Sequence, residues 1–196
     1  MGPEALRQAL ARQTPASSDF DLNPGFVLPQ TRVLRAAAVL VAVQESPQGL
    51  HLILTKRASH LQHHPGQIAF PGGKVDPGDV TVEGAALREA QEEIGLNPAL
   101  VSVLGRLPSH ETVTGFTVTP ILGHIRAAFS PIPEAGEVDE VFFVPLSFLM
   151  NPAHYQVEKR RWRGEWRKYY VVPYGPYYIW GATARILRGL ADRMAR

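Results

Sequence analysis

FPGGKVDPGDVTVEGAALREAQEEIGL, residues 70–96, joins two glycines and a turn to a helical pattern that ends in a crowd of carboxylates. At about 100° per helical residue, Glu89, Glu92 and Glu93 share an arc of roughly 100°. Ala86, Leu87, Ala90 and Ile94 occupy a different arc of similar width and read as the buried stripe. Thr81 is the expected N-cap and Gly95 the C-terminal glycine, so the helix is predicted to run to Ile94. Like charges three and four residues apart repel by a few tenths of a kcal/mol. Arg88 can relieve Glu92, four residues on, but not all three carboxylates. A solvated acidic face is one reading, and a bound cation is the other.

The glycines bear on that choice. A Gly-Gly turn lets backbone approach a ligand or a neighbouring element closely. If the turn folds over the helix, a backbone carbonyl near Gly73 can join the glutamates. Hard oxygen donors of that kind suit Mg²⁺ or Mn²⁺ rather than zinc. Such a site serves phosphate chemistry, in which the ion bridges phosphate oxygens and activates a water.

Outward from this stretch, VLRAAAVLVAV and GLHLILTKR read as apolar strands joined by a hairpin loop at QESPQ. Residues 58–79 are rich in Gly, Pro and His and are expected to be irregular. Downstream, LVSVLGRL and FTVTPILGHIRAAF alternate as strands, VDEVFFVPLSFLM reads as a strand entering a short helix, and GATARILRGLADRMAR is an amphipathic helix. Residues 4–13 form a short helix followed by a polar connector to about residue 30. Strands before and after a central helix, with a helix at the end, predict an α/β layered domain. The crossover helices are too few for a parallel, doubly wound sheet.

A chain of 196 residues with 45% hydrophobic and 19% charged residues fits one soluble globular domain. No window is long and apolar enough to span a bilayer. The opening MGPEALRQALARQTPASSDF lacks an apolar core, so no signal peptide is expected. The absence of cysteine excludes disulfides, thiolate zinc sites and a cysteine nucleophile, and it agrees with a cytoplasmic protein. The net charge is +2, yet KRRWRGEWRK (159–168) is strongly basic. An exposed hairpin, an anion-binding surface for a small phosphorylated ligand and a nucleic-acid patch all fit that composition. The first two are preferred, and no nucleic-acid or membrane partner is expected. His63, His64, His110 and His124 suit surface or substrate-contacting roles better than a metal site. Trp162, Trp166 and the tyrosines at 169, 170, 174, 177 and 178 fit either packing or an adenine platform.

Residues 73–96 resemble the signature of the Nudix hydrolases: Gly, five residues, Glu, seven residues, then Arg-Glu-hydrophobic-x-Glu-Glu-x-Gly-hydrophobic. Arg88-Glu89-Ala90-Gln91-Glu92-Glu93-Ile94-Gly95-Leu96 fits the second half. The first half departs twice, because Asp79 stands where the pattern has Glu and the segment is one residue longer. The flanks are similar to the coenzyme A diphosphatase branch. Leu54, Thr55, Arg57, Gly66, Gln67, Phe70, Pro71, Gly72 and Gly73 match its preceding segment, whereas Gln62 departs where a basic residue is expected.

The resemblance implies a Nudix fold, a mixed sheet between helices, with residues 1–30 as N-terminal helix and connector and 31–196 as the hydrolase domain. It further implies cleavage of coenzyme A or acyl-CoA to 3′,5′-ADP and 4′-phosphopantetheine or its acyl form. Glu89, Glu92, Glu93 and the Gly73 carbonyl would hold Mg²⁺ or Mn²⁺, with Arg88 orienting a carboxylate. Arg57, Lys74, Phe70 and Gln67 would contact substrate. Glu137 or Glu111 would supply a distal carboxylate. Two alternatives keep the fold: a Nudix hydrolase acting on ADP-ribose or nucleoside triphosphates, and a non-catalytic ligand sensor.

Overall fold

In the computed structural model, residues 2–26, 32–162 and 164–195 are described, without the Trp162 side chain. The chain runs α1 (Pro3–Ala11), β1 (Ser17–Ser18), β2 (Arg35–Ser46), β3 (Gly49–Arg57), β4 (Ile68–Ala69), β5 (Gly72–Lys74) and α2 (Val82–Ile94). It continues through β6 (Val101–Arg106), β7 (His110–Glu111), β8 (Phe116–Ile125), β9 (Val138–Pro145) and α3 (Leu146–Leu149). The last part is β10 (Gln156–Trp162), β11 (Glu165–Tyr174), β12 (Tyr177–Trp180) and α4 (Gly181–Met194).

The apolar run of β2 lies at the centre because both of its faces are covered. Ala37, Val41 and Val43 point into one core, and Ala38, Leu40 and Ala42 into the other. A strand buried on both sides loses the polar alternation of a half-exposed one. β2 pairs parallel with β8 (Ala37 opposite Val118) and antiparallel with β3 and β5. β3 in turn pairs antiparallel with β9 and β4. The sheet is therefore mixed, and β10, β11 and β12 form a second, antiparallel sheet.

On one face Ala85, Ala86, Ala90 and Ile94 of α2 pack against Ala38, Leu40, Ala42 and Ile53. The small alanines bring the helix close to the sheet, which sets the distance between its carboxylates and β5. On the other face α4, through Leu187, Leu190 and Ala191, joins Leu6 and Ala9 of α1 and Val41, Val43 and Leu52 of the sheet. The architecture is the expected one, a mixed sheet between helices.

Thr81 caps α2 by accepting the Gly84 N–H at 3.0 Å, and Gly95 closes it in the left-handed region at φ 70°. The buried stripe is displaced, since Ala85 and Glu93 are buried whereas Leu87 is half-buried. The β2–β3 loop is tighter than QESPQ, because Ser46 pairs with Gly49 and only Pro47 and Gln48 turn. Residues 58–79 contain the short strands β4 and β5, whose two and three residues are too few to show a period. The connector's end near residue 30 lies outside the described residues.

Candidate active site

α2 presents its three glutamates to three different environments. Glu93 is 4% exposed, Glu89 half-buried and Glu92 open to solvent. The expectation that Glu93 lies on a polar face is corrected, because it borders the buried Ala90 and Ile94 and faces β5. There its Oε2 accepts the Gly72 N–H at 3.1 Å. Arg57 stands with Nη1 at 4.0 Å from Oε1, the limit of an ion pair. At that distance Arg57 does not offset desolvation. Burial pushes the Glu93 carboxyl up to about 8, against the Gly72 hydrogen bond and the Arg57 charge, with Glu89 and Glu137 adding repulsion. Burial also raises Glu89, Arg88 opposes it, and Glu92 and Glu137 add to the rise.

Gly73 meets Glu89 directly. A Cβ at this position would lie 2.6 Å from the Glu89 carboxyl carbon, so any other residue would push the carboxylate aside. The turn lies against the helix, and Gly73 and Glu89 are in contact.

Arg88 is engaged more widely than expected. Its Nε and Nη2 donate to the two oxygens of Asp79, both at 3.0 Å. Nη1 donates to Glu89 at 3.1 Å and to Glu92 at 2.8 Å, and Nη2 reaches the Lys74 carbonyl at 3.3 Å. Asp79 also accepts the Asp76 N–H at 2.8 Å, which closes the turn before the helix. The Arg88 hydrogen bond, and after it that backbone N–H, hold Asp79 below the usual carboxylate range. The aspartate that departs from the Nudix pattern thus anchors the arginine that separates Glu89 from Glu92.

Carboxylates are hard oxygen donors, and although burial is the main reason Glu89 and Glu93 are raised, the smaller repulsion among the carboxylates is the kind a divalent cation relieves. Among the described residues no three Asp, Glu or His side chains are gathered in a ligating arrangement. Arg88 holds Glu89 and Glu92 while Glu93 turns toward Gly72, so the three do not converge. Of the two distal candidates, Glu137 lies within electrostatic range of both Glu89 and Glu93, whereas Glu111 is ion-paired with Arg32 beside β7.

On the α4 face of the sheet, opposite the face that α2 covers, opens a cleft of about 360 Å³. Arg57, Gln67, Phe70 and Lys74 all line it, together with Gly72 and Gly73. Lys56, the next residue of β3, points to the opposite side. The far wall comes from parts of the chain that motif reading passes over: Asp19, Thr112–Thr114, and Trp180–Thr183 at the start of α4. From the basic stretch, Arg160, Arg167, Lys168 and Tyr169 also line it. His64 stands at the edge in the left-handed region, φ 55°. Burial lowers its pKa, and the charges of Arg57, His63 and Arg160 lower it further, against a hydrogen bond with Gln67.

His110 is neither at the surface nor in contact with the cleft. It is fully buried, with Nδ1 2.9 Å from the Ser17 hydroxyl and Nε2 3.2 Å from Asp19 Oδ1. Asp19 also accepts the Val113 N–H at 2.8 Å. Burial would raise this carboxyl, but His110, Val113 and Arg167 together carry it below its ordinary value. The network pins β1 to β7 and fixes Asp19 in the cleft wall. No local pattern announces it, because its partners are 91 and 93 residues apart. His124 meets Glu45 at 3.6 Å, away from the cleft. Tyr177 packs, stacked 3.6 Å from Phe142, and the Trp162 side chain lies outside the described residues.

Fold and site together define a mixed-sheet α/β domain in which β5 joins a cationic cleft to a carboxylate-bearing helix. Residues 33–163 match the NUDIX domain. Over 174 residues the chain is 42% identical to a protein of Salmonella heidelberg called uncharacterized Nudix hydrolase NudL, spanning 89% of this chain and 90% of that one. A protein of the same name from Enterobacter sp. is 43% identical over 157 residues, 80% of this chain and 81% of its own. Among solved structures, the Nudix hydrolase RenU of M. smegmatis aligns with a TM-score of 0.50 over 61% of this chain and 81% of its own. At 23% identity that likeness concerns the fold alone. The chain belongs to the Nudix hydrolase family. Among the described residues no helix is long and apolar enough to cross a membrane.

Proposed function

We propose that the chain hydrolyses the diphosphate of coenzyme A or acyl-CoA, giving 3′,5′-ADP and 4′-phosphopantetheine or its acyl form. One observation carries this reading. Arg57, Gln67 and Phe70, which carry the resemblance to the coenzyme A diphosphatases, line one cleft with Gly72, Gly73 and Lys74 of β5, the strand that Glu89 and Glu93 touch. The segment that carries the resemblance and the glutamates thus meet at β5.

In this reading Glu89, Glu92, Glu93 and the Gly73 carbonyl would hold Mg²⁺ or Mn²⁺. Such an ion polarises a diphosphate and lowers the pKa of the attacking water. The chain's own residues divide the remaining work. Arg57 and Lys74 neutralise and orient the diphosphate oxygens. Arg88, fixed by Asp79, sets the directions of Glu89 and Glu92. Glu137 is the preferred distal carboxylate because its charge reaches Glu89 and Glu93. Water adds across one phosphorus–oxygen anhydride bond, so both products leave as phosphate monoesters. Residues 31–196 form the hydrolase domain, residues 1–30 supply α1 and its connector, and the site of action is the cytoplasm.

The test is kcat/KM for coenzyme A, dephospho-CoA, ADP-ribose and nucleoside triphosphates under one metal condition. Coenzyme A is expected to be cleaved faster than dephospho-CoA, with the other two poor. A preference for ADP-ribose or a triphosphate would overturn the substrate assignment and leave the family untouched.

A further inference from the structure

The hairpin of β10 and β11 sets Arg160 directly opposite Arg167, and next to them Lys159 opposite Lys168. Like charges directly opposed across an antiparallel pair destabilise it, and an anion on the face of the two arginines would relieve their pair. Opposed residues share a face of the sheet, and both arginines line the cleft.

Their states differ. Arg167 is 9% exposed, donates from Nη2 to the Asp19 carbonyl at 3.0 Å and lies 5.3 Å and 5.7 Å from the Phe20 and Phe26 ring centres. It is a fixed charge in the wall. Arg160 is exposed, rests 4.3 Å from the centre of the Trp180 ring and has no carboxylate partner among the described residues. Arg167 stands opposite it and Arg57 acts with it on His64, while Glu158, two residues back on the same face, accepts the Tyr178 hydroxyl at 2.6 Å. Asp19 is the one carboxylate among the described lining residues, and His110 and Val113 engage it. The cleft therefore carries two sets of cations, Arg57 with Lys74 on β3 and β5, and Arg160 with Arg167 on the hairpin.

A ligand matching this pattern carries a diphosphate and a second, separate phosphate near a ring that can lie against Trp180 or Tyr169. We infer that Arg160, backed by Arg167, forms a second anion subsite that takes the phosphate monoester on the ribose of the substrate's nucleotide half. The inference rests on the coenzyme A reading for the identity of that monoester, the ribose 3′-phosphate. It assigns discrimination against dephospho-CoA to the hairpin rather than to the segment before β5.

Calorimetric titration of the chain without divalent metal, using 3′,5′-ADP and 5′-AMP, separates this subsite from catalysis. Wild type should bind 3′,5′-ADP at least ~10-fold more tightly than 5′-AMP, the scale of one charge-assisted contact to phosphate. Arg160→Gln should bring that ratio close to one, and Arg160→Lys should restore part of it. Arg160 is exposed, so an unchanged thermal melt should accompany both variants. A wild-type ratio near one, a ratio that Arg160→Gln leaves unchanged, or no measurable binding of 3′,5′-ADP would each overturn the subsite. If the ratio behaves as expected but coenzyme A is not cleaved, the subsite stands and the proposed function falls. If coenzyme A is cleaved and the ratio is one, the proposed function stands and the subsite falls.

Discussion

Arg88 holds Asp79 in a two-pronged hydrogen bond, Nε to Oδ1 and Nη2 to Oδ2, both at 3.0 Å. The same guanidinium reaches Glu89 and Glu92 with Nη1, so a residue of the turn sets the direction of the helix carboxylates. Asp79→Asn removes the charge of the fork and should lower kcat/KM by roughly 10-fold, the range for groups that orient ligating side chains. Arg88→Lys should cost more, because an ammonium cannot reproduce the fork. Steady-state kinetics on both variants, with circular dichroism to verify folding, checks the order. Wild-type rates in Asp79→Asn would show that the fork does not position the glutamates.

Glu93→Gln replaces a buried carboxyl with a group of nearly the same shape that can still accept the Gly72 N–H. The fold should persist, and kcat should fall by at least ~100-fold, on the scale of several kcal/mol of lost charge stabilisation. Near-normal turnover by a folded variant would remove Glu93 from the reaction.

Gly73→Ala puts a methyl group where the Glu89 carboxylate now lies, 2.6 Å from the ideal Cβ position. The obstacle is the end of a flexible side chain, so stability should change little. Glu89 should swing away, and the Mg²⁺ concentration for half-maximal activity should rise by about 10-fold. A metal titration of activity checks this, and an unchanged midpoint would contradict the assignment of Glu89 and Gly73.

The fold was legible where periodicity runs long. β3 spans GLHLILTKR and α2 ends at Gly95 because nine strand residues and a capped thirteen-residue helix each carry a pattern of their own. β4 and β5 carry none, although β5 supplies Gly72 and Gly73. The clustering of Glu89, Glu92 and Glu93 could be read from helical spacing. The burial of Glu93 could not, because it depends on how closely Ala86 and Ala90 bring α2 to the sheet. Asp19, Trp180 and the buried setting of His110 could not be read for a different reason. Each acts through residues far away in the chain, and a single sequence does not show which distant residues meet.

The raised Glu93 carboxyl has a consequence for stability against pH. Its pKa is 4.5 as an ordinary side chain and about 8 in the metal-free fold, so between these values the folded chain holds the proton and the unfolded chain releases it. Its contribution is fully present below about 4.5 and is lost as pH rises through 8. The loss is on the order of a few kcal/mol, at 1.36 kcal/mol per pKa unit. Urea unfolding in EDTA at pH 5.5 and pH 8.5 should show wild type losing more stability over that interval than Glu93→Gln. Equal losses in the two proteins would contradict a neutral, buried Glu93.

Metal-dependent hydrolysis of the coenzyme A diphosphate, the reaction proposed for this chain, is tested most directly by the masses of the products. With Mg²⁺ or Mn²⁺ the chain should convert coenzyme A to 3′,5′-ADP and 4′-phosphopantetheine, and exhaustive EDTA treatment should stop the reaction until metal is restored. Coenzyme A left intact with both metals, or cleavage that continues after chelation, would contradict the account.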